Sequence, residues 1–201
     1  MHSLHRVYHD FVSLLNRGGM SLEHAKALIR LREKVPDAVI AGGALRDLYT
    51  GIKPVKDFDI ALYVPGFSCG DASLDKDLIN VIKKALYPKG GLTPYIPNGS
   101  SEDARNHPTI IANGRLGIYD LIFRREPFTL PELLNGHDVG ATMIGTTGKY
   151  VYADPRFLVD VYLKRFTVYS RHKESITQER LHRWREAGYD WPIYHSLPVE
   201  D

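Results

Sequence analysis

One cysteine in 201 residues, Cys69, leaves no pair for an internal disulfide, so packing and hydrogen bonds must hold the chain, as suits a reducing cytosol. Long apolar runs are absent as well. None approaches the roughly 20 residues that span a bilayer, and the His-containing start does not read as a signal peptide, so a cytoplasmic protein without a membrane partner is expected. Charge of one sign is scarce: 26 Lys and Arg against 24 Asp and Glu leave a net +2, too little to mark a nucleic-acid binder by itself. His107, His137, His172 and His182 lack metal-ligand spacing, which argues against zinc. Cys69 lies in a Gly-containing turn and reads as incidental rather than nucleophilic. No internal repeat or low-complexity tract is found, and no pattern specifies an oligomeric state.

The remainder is ordinary globular material, 43% hydrophobic and 25% charged, long enough for one domain with a small appendage. Leu4, Val7, Tyr8, Phe11, Leu14 and Leu15 recur at helical spacing, with Gly18-Gly19 as a stop. Ser21 reads as the N-cap of a second helix through about Lys34. Residues 38–41 form a short apolar strand, Gly42-Gly43 turns into a third helix through about Tyr49, and Gly51 closes it. A strand is expected over 58–64 and an amphipathic helix over 75–86. Residues 88–108 read as a mobile loop. Asn113-Gly114 marks the turn of a hairpin whose second strand covers 116–123. Residues 155–169 read as a buried helix, 175–187 as an exposed one, and the stretch from Asp190 as an extended tail whose Trp191, Tyr194 and His195 are free to meet a partner chain. The expected division is an N-terminal helical segment (1–36), a core (37–169) and a C-terminal helix and tail (170–201).

Two patterns carry chemistry. Asp57 and Asp59 stand at i and i+2 of a strand, so both project from one face, roughly 7 Å apart at Cα, while Phe58 points into the opposite layer. Two carboxylates so placed can share divalent ions, and a pair of Mg²⁺ ions suits the in-line displacement of phosphoryl and nucleotidyl transfer. Asp120, in the apolar strand Ile118-Tyr-Asp-Leu-Ile-Phe123, is the candidate third carboxylate. Upstream, Gly42 and Gly43 let the backbone approach a phosphate at a helix N-terminus, and Arg46, one turn in, adds a cation. Asp47 reads as structural. Alone, a Gly pair is usually a turn and Asp-x-Asp a solvated strand edge; in strand, Gly-Gly, helix, strand order they point together to NTP-dependent nucleotidyl transfer.

Gly42-Gly-Ala-Leu-Arg-Asp47, then Gly51, then Lys56-Asp-Phe-Asp-Ile60, resembles the head of the CCA-adding enzyme and poly(A) polymerase group, within the DNA polymerase beta-like nucleotidyltransferase superfamily. Tyr119-Asp-Leu-Ile-Phe-Arg124 is similar to the strand carrying that group's third acidic residue and an arginine. His137-Asp-Val-Gly-Ala-Thr-Met143 resembles its segment running from Arg-Asp-Phe into Asn-Ala-Leu, and Asp154-Pro155 through Lys164 resembles the segment that follows. The resemblance spans about 39–165. It implies an α+β fold, a mixed, palm-like sheet flanked by helices, with short helical additions at both ends. It implies two Mg²⁺ ions on Asp57, Asp59 and Asp120, with Asp120 activating the attacking hydroxyl. It also implies an NTP held by Gly42, Gly43, Arg46, Lys56, Arg124 and Asp138, and pyrophosphate as the leaving group. His137 stands where that group has arginine, and Gly140 and Ala141 replace its Asn-Ala. Only about forty residues follow Asp160, so the helical neck, body and tail that select the nucleotide and hold tRNA are not expected.

Between Lys164 and Glu186, seven Lys or Arg and three Glu interleave with Phe166, Tyr169 and Trp184. Such a stretch can track an RNA backbone and stack bases, or it can be aromatic core beneath a solvated charged face, the reading preferred here. An RNA 3′ end, tRNA included, is the expected acceptor. A small molecule or protein hydroxyl is the alternative, and a nucleotide-binding module without turnover the third reading.

Overall fold

Two six-residue strands organise the molecule. Phe58–Tyr63 (β3) and Tyr119–Arg124 (β6) run parallel, with Phe58 opposite Tyr119, Asp59 opposite Asp120 and Ile60 opposite Leu121. Alternation sends Phe58, Ile60, Leu121 and Phe123 into the core and leaves Asp59 and Asp120 on the other face. The computed structural model describes residues 3–8, 10–66, 72–90, 94–97, 110–169 and 174–196. Cys69, His107, His172 and much of the expected 88–108 loop lie outside the described residues.

Around this pair the described residues build an eight-stranded sheet in the order β1-β8-β7-β2-β3-β6-β5-β4. Its other strands are His5–Tyr8 (β1), Val39–Ala41 (β2), Tyr95–Pro97 (β4), Ile110–Leu116 (β5), Ile144–Thr146 (β7) and Val151–Ala153 (β8). Only the β3–β6 pairing is parallel within it. The helices are Phe11–Arg17 (α1), Glu23–Arg32 (α2), Gly43–Thr50 (α3), Ala72–Leu86 (α4), Leu130–Asn135 (α5) and Pro155–Leu163 (α6). Residues of α1 to α4 share one apolar core with the sheet. A mixed sheet flanked by helices is the expected α+β class.

After α6 the chain turns at Lys164, in the left-handed region with φ 48°. It continues into Phe166–Val168 (β9), which pairs in parallel with Ile193–His195 (β10). The last helix, Glu174–Glu186 (α7), covers this pair through a second core containing Val139, Phe166, Leu181, Trp184, Tyr189 and Trp191.

Several expectations need correction. His5–Tyr8 is a strand, because the β8 edge offers backbone partners that outweigh its helical spacing, and the helix begins only at Phe11. Helix α2 starts at Glu23 behind Leu22; Ser21 Oγ accepts from Glu23 N at 3.2 Å, one position early for an N-cap. Asn113-Gly114 does not turn. Both lie within β5, and the reversal comes at Gly117-Ile118, with Gly117 at φ 63°, which lets the flanking pair Leu116 and Tyr119 bury. Gly114 is small for another reason: Tyr95 ring atoms stand 2.3–2.4 Å from where its Cβ would be. Helix α6 stops at Leu163 and exposes Val159, Leu163 and Tyr162, the last at 86%. Its apolar outer face misread as burial. Trp191 packs in its own chain's second core, leaving Tyr194 and His195 at the surface. No helix among the described residues is long and apolar enough to cross a membrane.

Candidate active site

Strands β3 and β6 carry Asp59 and Asp120 as register partners, on strands about 4.8 Å apart. Asp57 precedes β3 by one residue and shares the face of Asp59 by the two-residue period. Arg115, paired with Asp120 across the β5–β6 hairpin, ties the group together. Its Nε donates to Asp120 Oδ1 at 2.7 Å, and its Nη2 donates to Asp120 Oδ2 at 2.7 Å and to Asp57 Oδ2 at 3.0 Å. Asp59 lies deeper. Burial first, then the charges of Asp120 and Asp57, push its carboxyl up to about 7.

Among the described residues, no three His, Cys, Asp or Glu side chains stand in metal-binding geometry; the guanidinium of Arg115 lies between the carboxylates instead. The donor set still suits a hard divalent cation, which takes carboxylate oxygens. The mutual repulsion that raises Asp59 is what such a cation would relieve.

The glycine turn closes on the same place. Gly42, at φ 90° and ψ −140°, joins β2 to α3 in a conformation that side-chain-bearing residues avoid. Its N–H donates to Ile144 O at 2.9 Å and its carbonyl accepts from Arg46 N at 3.2 Å. A Cβ on Gly42 would lie 3.5 Å from His137 Cε1 and 3.9 Å from Asp59 Oδ2. Gly42, His137 and Asp59 therefore border one space, with the first turn of α3, at Gly43, beside it. The leading N–H groups of a helix have no partner within the helix and favour anions.

Arg46 lies behind the start of α3, where a Cβ on Gly43 would stand 3.6 Å from its Nη2, and it is turned inward. Its side chain is fully buried, 4.0 Å from the ring centroid of Trp184 and 4.6 Å from that of Tyr189, and its Nη2 lies 2.7 Å from Asp47 Oδ1. Asp47 is structural as expected, accepting also from Tyr189 Oη at 2.8 Å and pairing with Lys53 at 3.3 Å. Lys56 is exposed beside Asp57. Arg124, at the far end of β6, is half-buried over the Phe128 ring, and its Nε has no hydrogen-bond partner among the described residues. Asp138 is latched to α7, accepting from Thr177 Oγ1 at 2.6 Å and Arg180 Nη1 at 2.8 Å.

Three residues at the site carry no weight in the motif. Arg115 escapes notice when the hairpin turn is set at Asn113-Gly114; a turn at Gly117-Ile118 puts it opposite Asp120. Arg180 reaches the site only through the packing of α7, and its positive charge acts on both Asp59 and His137. His137 is held down at about 4, first by burial and then by Arg180 and Arg124, against the pull of Asp138. It is thus neutral at pH 7. Its Nδ1 lies 3.0 Å from Thr142 Oγ1, whose own proton goes to Val139 O at 2.8 Å. Nδ1 is therefore the donor, and Nε2 is left as an acceptor. Of the aromatics interleaved between 164 and 186, Phe166 and Trp184 are core, Tyr169 is half-buried with Arg156 over its ring, and Arg183 and Arg185 are exposed.

No protein-family model and no curated protein matches the chain. Solved structures do. The Thermotoga maritima CCA-adding enzyme complexed with tRNA matches all of this chain (100%) with 44% of its own length, at 16% identity and a TM-score of 0.56. A CCA-adding enzyme in complex with ATP matches 96% of this chain with 43% of its own, at 18% identity and a TM-score of 0.55. An NMR structure described as a CCA-adding enzyme head domain matches 95% of this chain with 99% of its own, at 13% identity and a TM-score of 0.54. The chain spans less than half the length of the two larger proteins and nearly all of the isolated head. With its carboxylate-bearing parallel pair and its glycine turn, the chain has the fold of a CCA-adding enzyme head domain.

Proposed function

We propose that the chain is a Mg²⁺-dependent nucleotidyltransferase that moves a nucleotidyl group from an NTP to the 3′-hydroxyl of an RNA, with tRNA the leading acceptor. One observation carries the reading: Asp59 and Asp120 lie in register on neighbouring parallel strands, with Asp57 tied to Asp120 through Arg115 and the Gly42 turn beside Asp59. The fold it shares with proteins solved with tRNA and ATP supports the same choice.

In this reading Asp57, Asp59 and Asp120 hold the metal. When bound, the ions neutralise phosphate charge and favour ionisation of the attacking hydroxyl. The rest is done by the chain. The N-terminus of α3 binds the triphosphate, Gly42 and Gly43 allow its close approach, and Lys56 adds a cation at the rim. Neutral His137 offers an Nε2 acceptor, and Arg124 and Asp138 flank it around the nucleotide. Asp120 takes the proton of the acceptor hydroxyl as its oxygen bonds to the α-phosphorus; the bond to the bridging oxygen breaks and pyrophosphate leaves. Arg46 serves α3 rather than the phosphates.

A second acceptor class, a small molecule or a protein hydroxyl, is favoured by one feature: of the three aromatics interleaved with the basic residues, Phe166 and Trp184 are buried, which leaves only the half-buried Tyr169 to stack a base. Incubation with each labelled NTP, Mg²⁺ and total RNA, in parallel with total protein and metabolite fractions, separates the two. Label in RNA, lost with Asp57→Ala, is the expected outcome. Label confined to protein or small molecules selects the second class, and nucleotide binding without pyrophosphate release marks a non-catalytic module.

A further inference from the structure

Arg115 fills a place that a metal would need. Its planar fork satisfies both oxygens of Asp120 at 2.7 Å, and the same Nη2 reaches Asp57 Oδ2 at 3.0 Å. Those three oxygens are the ones two of the three metal ligands would present. A guanidinium and a divalent ion cannot contact the same carboxylate lone pairs together. Arg115 is also free to leave: its side chain is 48% exposed, whereas that of Asp120 is 21% exposed. Short, charge-assisted and bidentate contacts at a half-exposed side chain combine good alignment with ready release.

We propose that Arg115 is the internal counter-ion of the metal site: it occupies the Asp57 and Asp120 oxygens before metal arrives and is displaced when it binds. The inference rests on the metal-dependent reading above and goes further, because it makes metal affinity a competition with a residue of the chain's own. A scaffold residue and a competitor predict opposite results. Removing a scaffold loosens the carboxylates and weakens metal binding; removing a competitor strengthens it.

The test is Mn²⁺ binding followed by electron paramagnetic resonance, with no nucleotide present, for the wild type, Arg115→Gln, Arg115→Lys and Asp59→Asn. Arg115→Gln is expected to bind Mn²⁺ about tenfold more tightly than the wild type, a size set by losing partly exposed charge-assisted hydrogen bonds. Arg115→Lys keeps the charge but not the fork, so it should fall between them, and it decides the matter in the same direction if the glutamine variant does not fold. Without metal, Arg115→Gln should melt below the wild type, and saturating Mn²⁺ should narrow the gap. Equal or weaker binding by the Arg115 variants, with binding still lost in Asp59→Asn, overturns the inference and leaves the metal site standing. No binding by the wild type or by either Arg115 variant overturns both.

Discussion

Asp59 and His137 both border Gly42 and titrate in opposite senses. The Asp59 carboxyl, near 7 instead of 3.8, keeps its proton in the native protein where the unfolded chain has lost it, so its contribution to stability falls as pH rises from about 4 to 7. His137, near 4 instead of 6.5, remains unprotonated where the unfolded chain takes a proton, so its contribution falls as pH drops from 6.5 to 4. In the metal-free protein the two largely cancel. Single variants should separate them in thermal melts between pH 7.5 and 5. His137→Gln should gain stability on acidification and Asp59→Asn should lose it, each by about 1–2 kcal/mol. Parallel pH profiles for the two variants would contradict this assignment. The three carboxylates were legible in the sequence because their apolar neighbours set which way each strand faces. His137 was visible only as a departure from a family pattern, since its neutral state depends on burial and on Arg180 from a distant helix.

Arg46 shows what helix position leaves undecided. Its place one turn into α3 suggested a phosphate contact, but Trp184 and Tyr189, far along the chain, enclose it instead. Thr50 and Tyr189 complete this junction between α3 and the C-terminal segment, their hydroxyls 2.8 Å apart. Arg46→Ala should therefore cost about 3 kcal/mol of stability and, below its melting point, leave the KM for NTP near that of the wild type. A raised KM in a stably folded variant would restore the phosphate role. The 3-10 turn Gly140–Thr142 carries a similar lesson. A Cβ on Gly140 would lie 2.5 Å from Asp160 Oδ2, and Asp160 is fixed by Thr167 N at 2.9 Å and Thr167 Oγ1 at 2.6 Å. The glycine that breaks the family's Asn-Ala pattern makes room for that buried carboxylate. Gly140→Ala should lower stability by about 2 kcal/mol, and Asp160→Ala in the same chain should recover none of it if the hydrogen bonds matter more than the space. Helices and strands with clear periodicity were readable, whereas the hairpin register was not. Two glycine turns compete there, and burial of Leu116 and Tyr119 chooses between them.

At the scale of the whole molecule, the chain has the fold of the head and spans less than half the length of the larger proteins it resembles. For the proposed RNA acceptor, the exposed Arg183 and Arg185 on α7 are one candidate pair of backbone contacts. If they track a single strand, RNA affinity should fall with salt, and replacing both by Gln should flatten the log–log slope by about 0.7 per contact. An unchanged slope places the acceptor elsewhere. The fold class was legible from the order of motifs; the second core was not, because its members from Val139 to Trp191 meet only after the chain has folded.

In the proposed reaction, Asp57, Asp59 and Asp120 direct attack at the α-phosphate of an NTP. Paired reactions with α- and γ-labelled NTP, Mg²⁺ and RNA, run with the wild type and Asp59→Asn, test it most directly. The expected result is acceptor labelled only from the α-position, the γ-label recovered in pyrophosphate, and neither product from the variant. Acceptor labelled from the γ-position, or undiminished α-labelling by Asp59→Asn, would contradict it.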